Sequence, residues 1–487
     1  MTSILRATAV LSTSSFVTIL VGLVSAKAYA LLIGPEGLGF MGLLLSVLGL
    51  TSLVAGVGLG GSVVRMIAST LATDDCQDVV ALRRAAWLLF WSFGLLVALC
   101  LVIFRVPISR AMLNGPEHSG AVVLMGAALL FSLASGVQTS ILNAYHRIGA
   151  LAKFGILNSI LGTALSLSAI WFLGEAGIPM AIVASSMVSF VVSRILLKQA
   201  LEVGRSPVGW HATMNAAGAL LRFGVPLTGS RLAGDGARLL LPLLVVSMLD
   251  KESVGFLAAA TAIAVTYIGF LLTGMAQDYF PRVSAAVRDP HELVSLANQQ
   301  LRLVLLLGVP MILGVLALSS IVLPLVYTPA FMPAVAILQW QLAADVLKLP
   351  TWVLGFVILV RSSKNYLIVE LTAGILLLGF SWLGLKLFGL VGIGIGWLAM
   401  YAVVLPVNIH FVRREVPLEW TPENRRLMLA SVLAVGIIQA LPLIATVQWH
   451  TVGGVIAAGL FGLYSLRALW ADYRLGKRGV DLREGIG

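Results

Sequence analysis

The chain alternates between long apolar stretches and short polar connections from one end to the other. A helix that crosses hydrocarbon needs about 20 mostly apolar residues. Fourteen stretches meet this requirement, at residues 11–33, 38–64, 85–104, 121–142, 154–173, 177–196, 223–247, 254–277, 301–326, 334–360, 366–385, 389–412, 427–447 and 451–471. The pattern predicts an all-α polytopic membrane protein with about 14 transmembrane helices.

The composition agrees with a lipid environment. Of the 487 residues, 59% are hydrophobic and 11% are charged, whereas a soluble domain has about 25% charged residues. This excludes an ordinary soluble globular protein. A net charge of +11 would suggest a nucleic-acid partner in a soluble protein, but basic residues of membrane proteins collect in cytoplasmic loops for topological reasons. We therefore predict no nucleic-acid partner.

Lysine and arginine residues are divided unequally between the two sets of alternate loops. Most of the 32 lie in the set that includes both termini, and the other set holds only Arg105, Arg110, Lys251 and Lys386. Because positively charged loops stay on the cytoplasmic side, both termini are predicted to be cytoplasmic.

Two short motifs recur at nearly the same offset along the chain. Glu36–Phe40 after the first span matches Glu252–Phe256 after the seventh, and Arg65–Ala68 after the second matches Arg282–Ala285 after the eighth. Because an even number of spans separates the copies, both have the same orientation in the membrane. The repeat predicts two parallel six-helix lobes around a central cavity. The predicted domains are an N-terminal lobe (1–198), a cytoplasmic linker (199–222), a C-terminal lobe (223–412) and a helix pair with a cytoplasmic tail (413–487).

Seven of the ionisable residues inside predicted spans are candidate site residues. Each costs about 2.5 to 3.5 kcal/mol at mid-bilayer unless it faces water or a partner. They are Lys27, Arg231, Asp235, Arg238, Asp345, Lys348 and Glu370. Arg231, Asp235 and Arg238 have i, i+4, i+7 spacing, which places them on one helical face. Asp345 and Lys348 share a face at i, i+3.

Two interpretations of these charges stay open. In the first, they are compensated pairs that hold the protein together, or residues 220–238 lie in the membrane interface. In the second, they line a hydrated cavity with a net positive charge, since four cations face three acids. Guanidinium groups suit the oxygens of a phosphate or a diphosphate, so the second interpretation predicts an anionic substrate.

No motif predicts a cofactor or a metal. Gly56–Gly61 has the spacing of a dinucleotide-binding loop, but it lies in an apolar membrane segment rather than after a strand. We interpret its glycines, with Gly56 and Gly60 four residues apart, as sites at which a membrane helix packs closely against another helix. The two cysteines and six histidines show no metal-ligand spacing. The sequence has no Walker A motif, which argues against an ATPase.

Two segments resemble a known family. Ser25–Lys27 followed by Gly34–Gly39 resembles the first helix and turn of O-antigen and enterobacterial common antigen translocases, and Trp340–Lys348 followed by Gly355–Phe356 resembles their tenth helix. Weaker similarity covers the first twelve spans. The chain thus resembles the Wzx-type polysaccharide-repeat flippases of the multidrug/oligosaccharidyl-lipid/polysaccharide (MOP) exporter superfamily. That family commonly has twelve spans, so the last two predicted spans depart from it.

The resemblance implies a transporter of the bacterial inner membrane and not an enzyme. Its cargo would be an undecaprenyl-diphosphate-linked oligosaccharide, moved by alternating access from the cytoplasmic to the periplasmic face for O-antigen and lipopolysaccharide synthesis. A polysaccharide polymerase machinery is a further expected partner. On this hypothesis the four intramembrane cations bind the diphosphate, and the three acids tune those charges or accept sugar hydroxyls or protons.

Two other functions stay open. A MATE-like, cation-coupled drug exporter of the same superfamily would share the architecture, although cationic drugs favour an acidic cavity. A membrane-bound O-antigen polymerase or ligase would handle the same lipid-linked sugars. Such an enzyme needs a sizeable extracytoplasmic loop, and the longest predicted one runs only from Arg105 to Gly120.

Overall fold

The computed structural model describes the backbone of residues 2–71, 76–113, 115–200, 209–444 and 447–484. It describes side chains at residues 14–71, 78–113, 115–200, 209–440, 451–471 and 474. These parts of the chain form helices and short connections, with no β-strand among them. The predicted all-α class is confirmed.

The helices follow one another with short connections. In the described ranges they are α1 (Thr2–Gly56), α2 (Leu59–Leu71), α3 (Cys76–Ile103), α4 (Arg105–Met112), α5 (Ser119–Ala144), α6 (Ile148–Leu173), α7 (Gly177–Ala200), α8 (Trp210–Met248), α9 (Lys251–Ala285), α10 (Pro290–Val326), α11 (Ala334–Arg361), α12 (Ser363–Phe388), α13 (Gly392–Glu415), α14 (Pro422–Ile444) and α15 (Val447–Glu484). Short 3-10 helices occupy Pro116–His118, Gly174–Ala176, Pro329–Phe331 and Gly389–Val391.

The predicted spans lie on these helices, but several helices are longer than the spans: α8 begins at Trp210 rather than at 223, and α10 begins at Pro290 rather than at 301. Residues 38–64 run from α1 into α2. Among the described residues, nine stretches are long and apolar enough to cross a membrane. Two of these, Ile148–Ala200 and Ser363–Glu415, contain two helices each. Helices α8 and α14 are not among the nine, and α8 is the helix with three charged residues in its middle.

Helix α1 contains two predicted spans because it bends at Gly34. The backbone of Gly34 has φ 62° and ψ −168°, a combination that residues with a side chain rarely adopt. Pro35 follows and has no N–H to donate to the helix. The two residues together bend the chain between its first two spans.

The chain divides into two compact units. Unit 1 comprises Met1–Ala258 and Val326–Thr328, and unit 2 comprises Ala259–Leu325 and Pro329–Gly487. Helix α8 therefore belongs to unit 1, although the predicted C-terminal lobe begins at residue 223. The two units are defined by contacts between residues, whereas the predicted lobes are defined by the internal repeat. The lobe boundaries therefore stay a prediction.

In unit 1, a buried apolar core fixes α8 against its neighbours. Helix α8 packs against α1, α2 and α3, and α5 packs against α3 and α7. Val63, Ile67, Phe90, Leu142 and Leu220 are part of one buried cluster. Because these side chains are close-packed in the interior, they fix which face of α8 contacts the rest of unit 1.

Two glycines let α1 and the first turns of α9 cross at backbone distance within unit 1. A Cβ atom on Gly39 would lie 1.7 Å from the carbonyl oxygen of Lys251, and one on Gly255 would lie 1.9 Å from the carbonyl oxygen of Pro35. Gly39 and Gly255 occupy the same place in the two copies of the repeat motif. The two copies therefore contact each other reciprocally, at a distance that only glycine permits.

In unit 2, buried amides fix the start of α14 to α10. The Asn298 side-chain amide donates to the carbonyl oxygen of Glu419 at 2.9 Å, and its Oδ1 accepts from the backbone N–H of Thr421 at 3.0 Å. Asn424 Nδ2 donates to the Asn298 carbonyl oxygen at 2.9 Å. Both asparagines are buried. Because buried amides are costly to leave unpaired, these bonds hold the connection between α13 and α14 in place.

Replacing Gly255 by Ala should lower the apparent melting temperature of the detergent-solubilised protein, because the added Cβ overlaps the backbone of α1. The matched control is Gly269→Ala on the same helix, where no atom lies within 4 Å of the added Cβ. Alanine favours a helix over glycine by about 1 kcal/mol, so the control should keep or raise the melting temperature. Equal stability of the two variants would contradict the close crossing.

Candidate functional site

The charged face of α8 lines a cavity of about 630 Å³ in unit 1. Arg231, Asp235 and Arg238 all line this cavity, so they share one face of α8, as their helical spacing predicts. Arg231 Nε lies 3.9 Å from Asp235 Oδ2, and these side chains are 60% and 51% exposed. The ion pair is therefore loose, and its groups are accessible to a ligand that enters the cavity.

Hydroxyl groups surround these charges. Five hydroxyl side chains line the cavity: Ser52, Ser132, Thr139, Ser140 and Thr228. Phe90, Leu133 and Val137 add apolar surface. Hydroxyl groups both donate and accept hydrogen bonds, so the lining complements a ligand that has many hydroxyls of its own.

A break between α1 and α2 forms another part of the cavity wall. Helix α1 ends at Gly56 and α2 begins at Leu59, and between them Val57 has φ 39° and Gly58 has φ 62°. Gly56, Gly58 and Gly60 line the cavity. Non-helical backbone at membrane depth is tolerated where it is buried in protein or faces water. The break therefore agrees with a hydrated cavity.

This break corrects the sequence interpretation of Gly56–Gly61 as part of one membrane helix. The close contact occurs at Gly58, where a Cβ would lie 2.2 Å from the carbonyl oxygen of Gly224 on α8. At Gly56 and Gly60 the nearest atoms lie 3.7 Å from an added Cβ, which is ordinary contact. The i, i+4 spacing is thus not what requires glycine. The unwound turn and the approach of α8 require it.

Asp345 and Lys348 form a second, buried charge cluster, in unit 2. Their side chains are 4% and 17% exposed. Lys348 Nζ donates to Asp345 Oδ1 at 3.1 Å, and the Tyr267 hydroxyl donates to Asp345 Oδ2 at 2.8 Å. Opposite charges in contact compensate each other. This geometry agrees with the compensated-pair interpretation more than with an open binding site.

The remaining two predicted site residues lie elsewhere. Lys27 is half-buried on α1, and its Nζ donates to the backbone carbonyl of Tyr327, which also belongs to unit 1. Glu370 is half-buried on α12, in unit 2. Of the seven predicted residues, the structure brings the three on α8 to one cavity and pairs Asp345 with Lys348. A role of any of the seven in substrate binding stays a prediction.

Sequence reasoning missed the hydroxyls of the cavity and the tyrosine of the buried cluster. Serine and threonine are common in membrane helices because they can bond to the carbonyl one turn back, as Thr228 does to Gly224 at 3.0 Å. Their presence therefore carries no signal of a site. Tyr267 precedes Asp345 by 78 residues, and no spacing rule links residues on separate helices.

The side chains that line the cavity suit an anion rather than a metal ion. No group of three or more His, Cys, Asp or Glu side chains in the described part of the chain is placed to hold a metal ion. The cavity instead offers two guanidinium groups and one carboxylate among hydroxyls. Guanidinium groups form strong, charge-assisted hydrogen bonds with phosphate oxygens.

Comparison with known proteins shows the family of this chain. A family described as "Polysaccharide biosynthesis protein" matches residues 29–336, which is more than half of the chain. The chain belongs to this family. It is also similar to the lipid III flippase of Escherichia coli (strain K12), with 23% identity over 411 residues that cover 82% of this chain and 96% of the relative.

Solved structures show the same fold. The lipid II flippase MurJ in its inward closed conformation matches with a TM-score of 0.72 and 14% identity, over 95% of this chain and 99% of that one. An inward-facing multidrug resistance MATE transporter of the MOP superfamily matches with a TM-score of 0.66 and 18% identity, over 82% and 94%. The chain has the MOP fold, as predicted. The curated relative and the two structural neighbours are flippases and a transporter, not enzymes.

The variant Asp345→Asn should lower the apparent melting temperature, because it leaves Lys348, whose side chain is only 17% exposed, without its carboxylate. Breaking a buried ion pair costs about 3 to 5 kcal/mol, whereas replacing both charges is close to neutral. Adding Lys348→Met should therefore recover much of the loss. The control Arg231→Met removes an exposed, loosely paired charge and should change little. If the loss of melting temperature in the double variant equalled the sum of the losses in the two single variants, the pairing would be excluded.

Proposed function

We propose that this protein is a flippase that moves a polyprenyl-diphosphate-linked oligosaccharide across the membrane. The observation that carries the proposal is the cavity of unit 1, which is lined by Arg231, Arg238, hydroxyl side chains and an unwound, glycine-rich turn. Membership of the polysaccharide biosynthesis family and similarity to a lipid III flippase support the same class of cargo.

The physical problem of this cargo explains the kind of site it needs. A diphosphate with a sugar chain cannot cross hydrocarbon without compensation for its lost hydration. The polyprenyl tail needs no such compensation, because it is as apolar as the lipid around it. The transporter therefore has to enclose only the polar head, in a cavity that supplies positive charge and hydrogen bonds.

The residues of α8 have distinct proposed roles. Arg231 and Arg238 would bind the diphosphate oxygens through their guanidinium groups. Asp235 reduces the net charge of this face to +1. On binding, Arg231 would exchange its loose ion pair with Asp235 for a contact with the phosphate. A moderate charge lets the head bind and also leave, which a transporter requires. The hydroxyls of α5 and α8 would bind sugar hydroxyls.

The other predicted site residues have weaker support as ligands. The Lys348 ammonium group donates to Asp345 on the same helix, and Tyr267 of α9 donates to Asp345, so we assign this cluster to holding α11 against α9. Lys27 donates to the carbonyl of Tyr327 and is proposed to anchor α1. For Glu370, the proposal that it accepts sugar hydroxyls or protons rests on the sequence.

The biological setting is part of the proposal. The cargo would be an undecaprenyl-diphosphate-linked repeat unit that moves by alternating access from the cytoplasmic to the periplasmic face of the bacterial inner membrane. Both termini would be cytoplasmic, as the distribution of Lys and Arg predicts. The product would supply O-antigen and lipopolysaccharide synthesis, through a polymerase machinery that consumes it.

A cation-coupled drug exporter is the second candidate, since MATE transporters share the fold. The charge of the cavity argues against it. A cationic drug would meet two guanidinium groups and only one carboxylate on α8, and like charges repel.

The variants Arg231→Ala and Arg238→Ala should each slow flipping about tenfold or more, because a hydrogen bond to a charged group contributes about 1.5 to 3 kcal/mol and each 1.4 kcal/mol is tenfold. The measurement is flipping of a fluorescent diphosphate-linked lipid analogue in proteoliposomes. The matched control is Arg222→Ala, an exposed arginine of the same helix outside the cavity lining, which should flip at the wild-type rate. Wild-type rates for both cavity variants would refute the proposed site.

Deletion of the gene in its native host should leave the lipid-linked oligosaccharide on the cytoplasmic face of the inner membrane, with loss of surface glycan. The accessible face can be determined with an impermeant sugar-modifying enzyme added to intact spheroplasts and to inverted vesicles. Accumulation on the outer face would place the block after translocation and favour a polymerase or ligase. Normal surface glycan together with drug sensitivity would favour the exporter.

A further inference from the structure

Unit 2 contains a groove of about 800 Å³ between α14 and α15. Its walls include Arg426, Leu427 and Ala430 of α14, and Leu460, Phe461 and Tyr464 of α15. Thr421, Pro422 and Glu423, at the start of α14, complete the lining. The groove is therefore polar where α14 begins and apolar one turn further along.

The charge of the groove is positive. Glu423 is compensated, because it accepts a hydrogen bond from the guanidinium group of Arg302 on α10. The Arg426 side chain is exposed and has no hydrogen bond or ion pair among the described residues. A guanidinium group at the mouth of an apolar groove, with no acid paired to it in the described part of the chain, indicates a site for an anion that carries an apolar portion.

The surroundings add positive charge and interfacial aromatic rings. Arg467 follows Tyr464 by three residues on α15, so it lies one turn further along the same face. Arg474 stacks on Trp470, with 3.3 Å from its guanidinium carbon to the ring centroid. Tyrosine and tryptophan concentrate where a membrane meets water. The loop that precedes α14 and the end of α15 are also on the predicted cytoplasmic side.

Lipid can reach this groove from the side. The membrane stretch of α15, Thr451–Ala471, is 11% buried, the lowest value of the nine apolar stretches in the described residues. On its surface, Leu460 is 64% exposed and Tyr464 is 48% exposed. The groove floor is fixed, since Leu427 is buried and Asn424 is bonded to Asn298. A preformed site that opens sideways suits a molecule already in the bilayer.

We propose that the groove between α14 and α15 binds an anionic phospholipid of the cytoplasmic leaflet. The lipid phosphate binds Arg426, with the hydroxyl groups of Thr421 and Tyr464 as further donors. One acyl chain lies along Leu427 and Leu460. Basic pockets between membrane helices on the cytoplasmic side are a recurring way to hold anionic head groups, because that leaflet is negatively charged.

The groove fits a phospholipid better than the polar head of the proposed cargo. It lies outside the 29–336 segment that matches the family. It also has fewer hydroxyl side chains than the cavity of unit 1, which is lined by five serine and threonine residues, so it offers little to a chain of sugars. The proposal does not depend on the flippase function, because a phospholipid that holds two helices together would do so in a protein of any activity.

The test is lipid retention by the full-length purified protein, measured by native mass spectrometry after incubation in mixed micelles. The probes are phosphatidylglycerol, phosphatidylcholine, undecaprenyl phosphate and inorganic phosphate. Phosphatidylglycerol should be retained at one site per chain, and phosphatidylcholine and inorganic phosphate should not. Arg426→Gln should weaken retention about tenfold or more, because a charge-assisted hydrogen bond is lost.

The matched control is Arg288→Gln, another exposed arginine of unit 2 without a partner among the described residues, which should retain phosphatidylglycerol as the wild type does. Ala430→Trp provides a second variant that fills the groove and leaves Arg426 unchanged, and it should also lose the lipid. Both variants are checked for wild-type elution in size-exclusion chromatography. Equal retention by Arg426→Gln and Arg288→Gln, or equal retention of phosphatidylcholine, would overturn the proposal. Preferred retention of undecaprenyl phosphate would overturn it too, and would assign the groove to the cargo.

Discussion

In hydrocarbon, a charged side chain or an unwound peptide group must face water or a partner, because lipid tails neither donate nor accept hydrogen bonds. The structure satisfies this constraint in two ways. On α8 the charges lie at a cavity, and Arg231 and Asp235 stay more than half exposed. On α11 the charges of Asp345 and Lys348 are buried and paired. The charged groups of α8 remain available to a ligand. Those of α11 are engaged by each other and by Tyr267 of α9.

Glycine contacts decide where the cavity forms. At Gly58 the helix breaks, and Gly224 of α8 approaches closely: a Cβ on Gly58 would overlap the carbonyl oxygen of Gly224, and a Cβ on Gly224 would overlap that of Val57. The break exposes peptide groups to the cavity and brings the charged helix beside them. At Gly39 and Gly255 the same device joins the two copies of a short motif. Small residues thus replace the hydrophobic effect, which gives no driving force between helices in lipid.

The C-terminal helix pair has a different character from the rest of the chain. It lies beyond the segment that matches the family, and the exposed surface of α15 is largely apolar, with Leu460, Leu463 and Leu466 more than half exposed. Asparagine bonds hold the start of α14 to α10. A helix pair that is anchored at one end and exposed to lipid along its length is suited to contact membrane components, and its groove combines that surface with the exposed guanidinium group of Arg426.

The sequence by itself determined the all-α membrane fold and the positions of the helices, because runs of apolar residues reflect the thickness of hydrocarbon whatever the helices contact. It also placed Arg231, Asp235 and Arg238 on one face, since that follows from helical periodicity alone. Only the tertiary structure decided that this face lines a cavity while Asp345 and Lys348 are buried and paired with Tyr267 close by. The reason is physical: the cost of a charge depends on what the neighbouring helices place around it, and residues far apart in the sequence supply those surroundings.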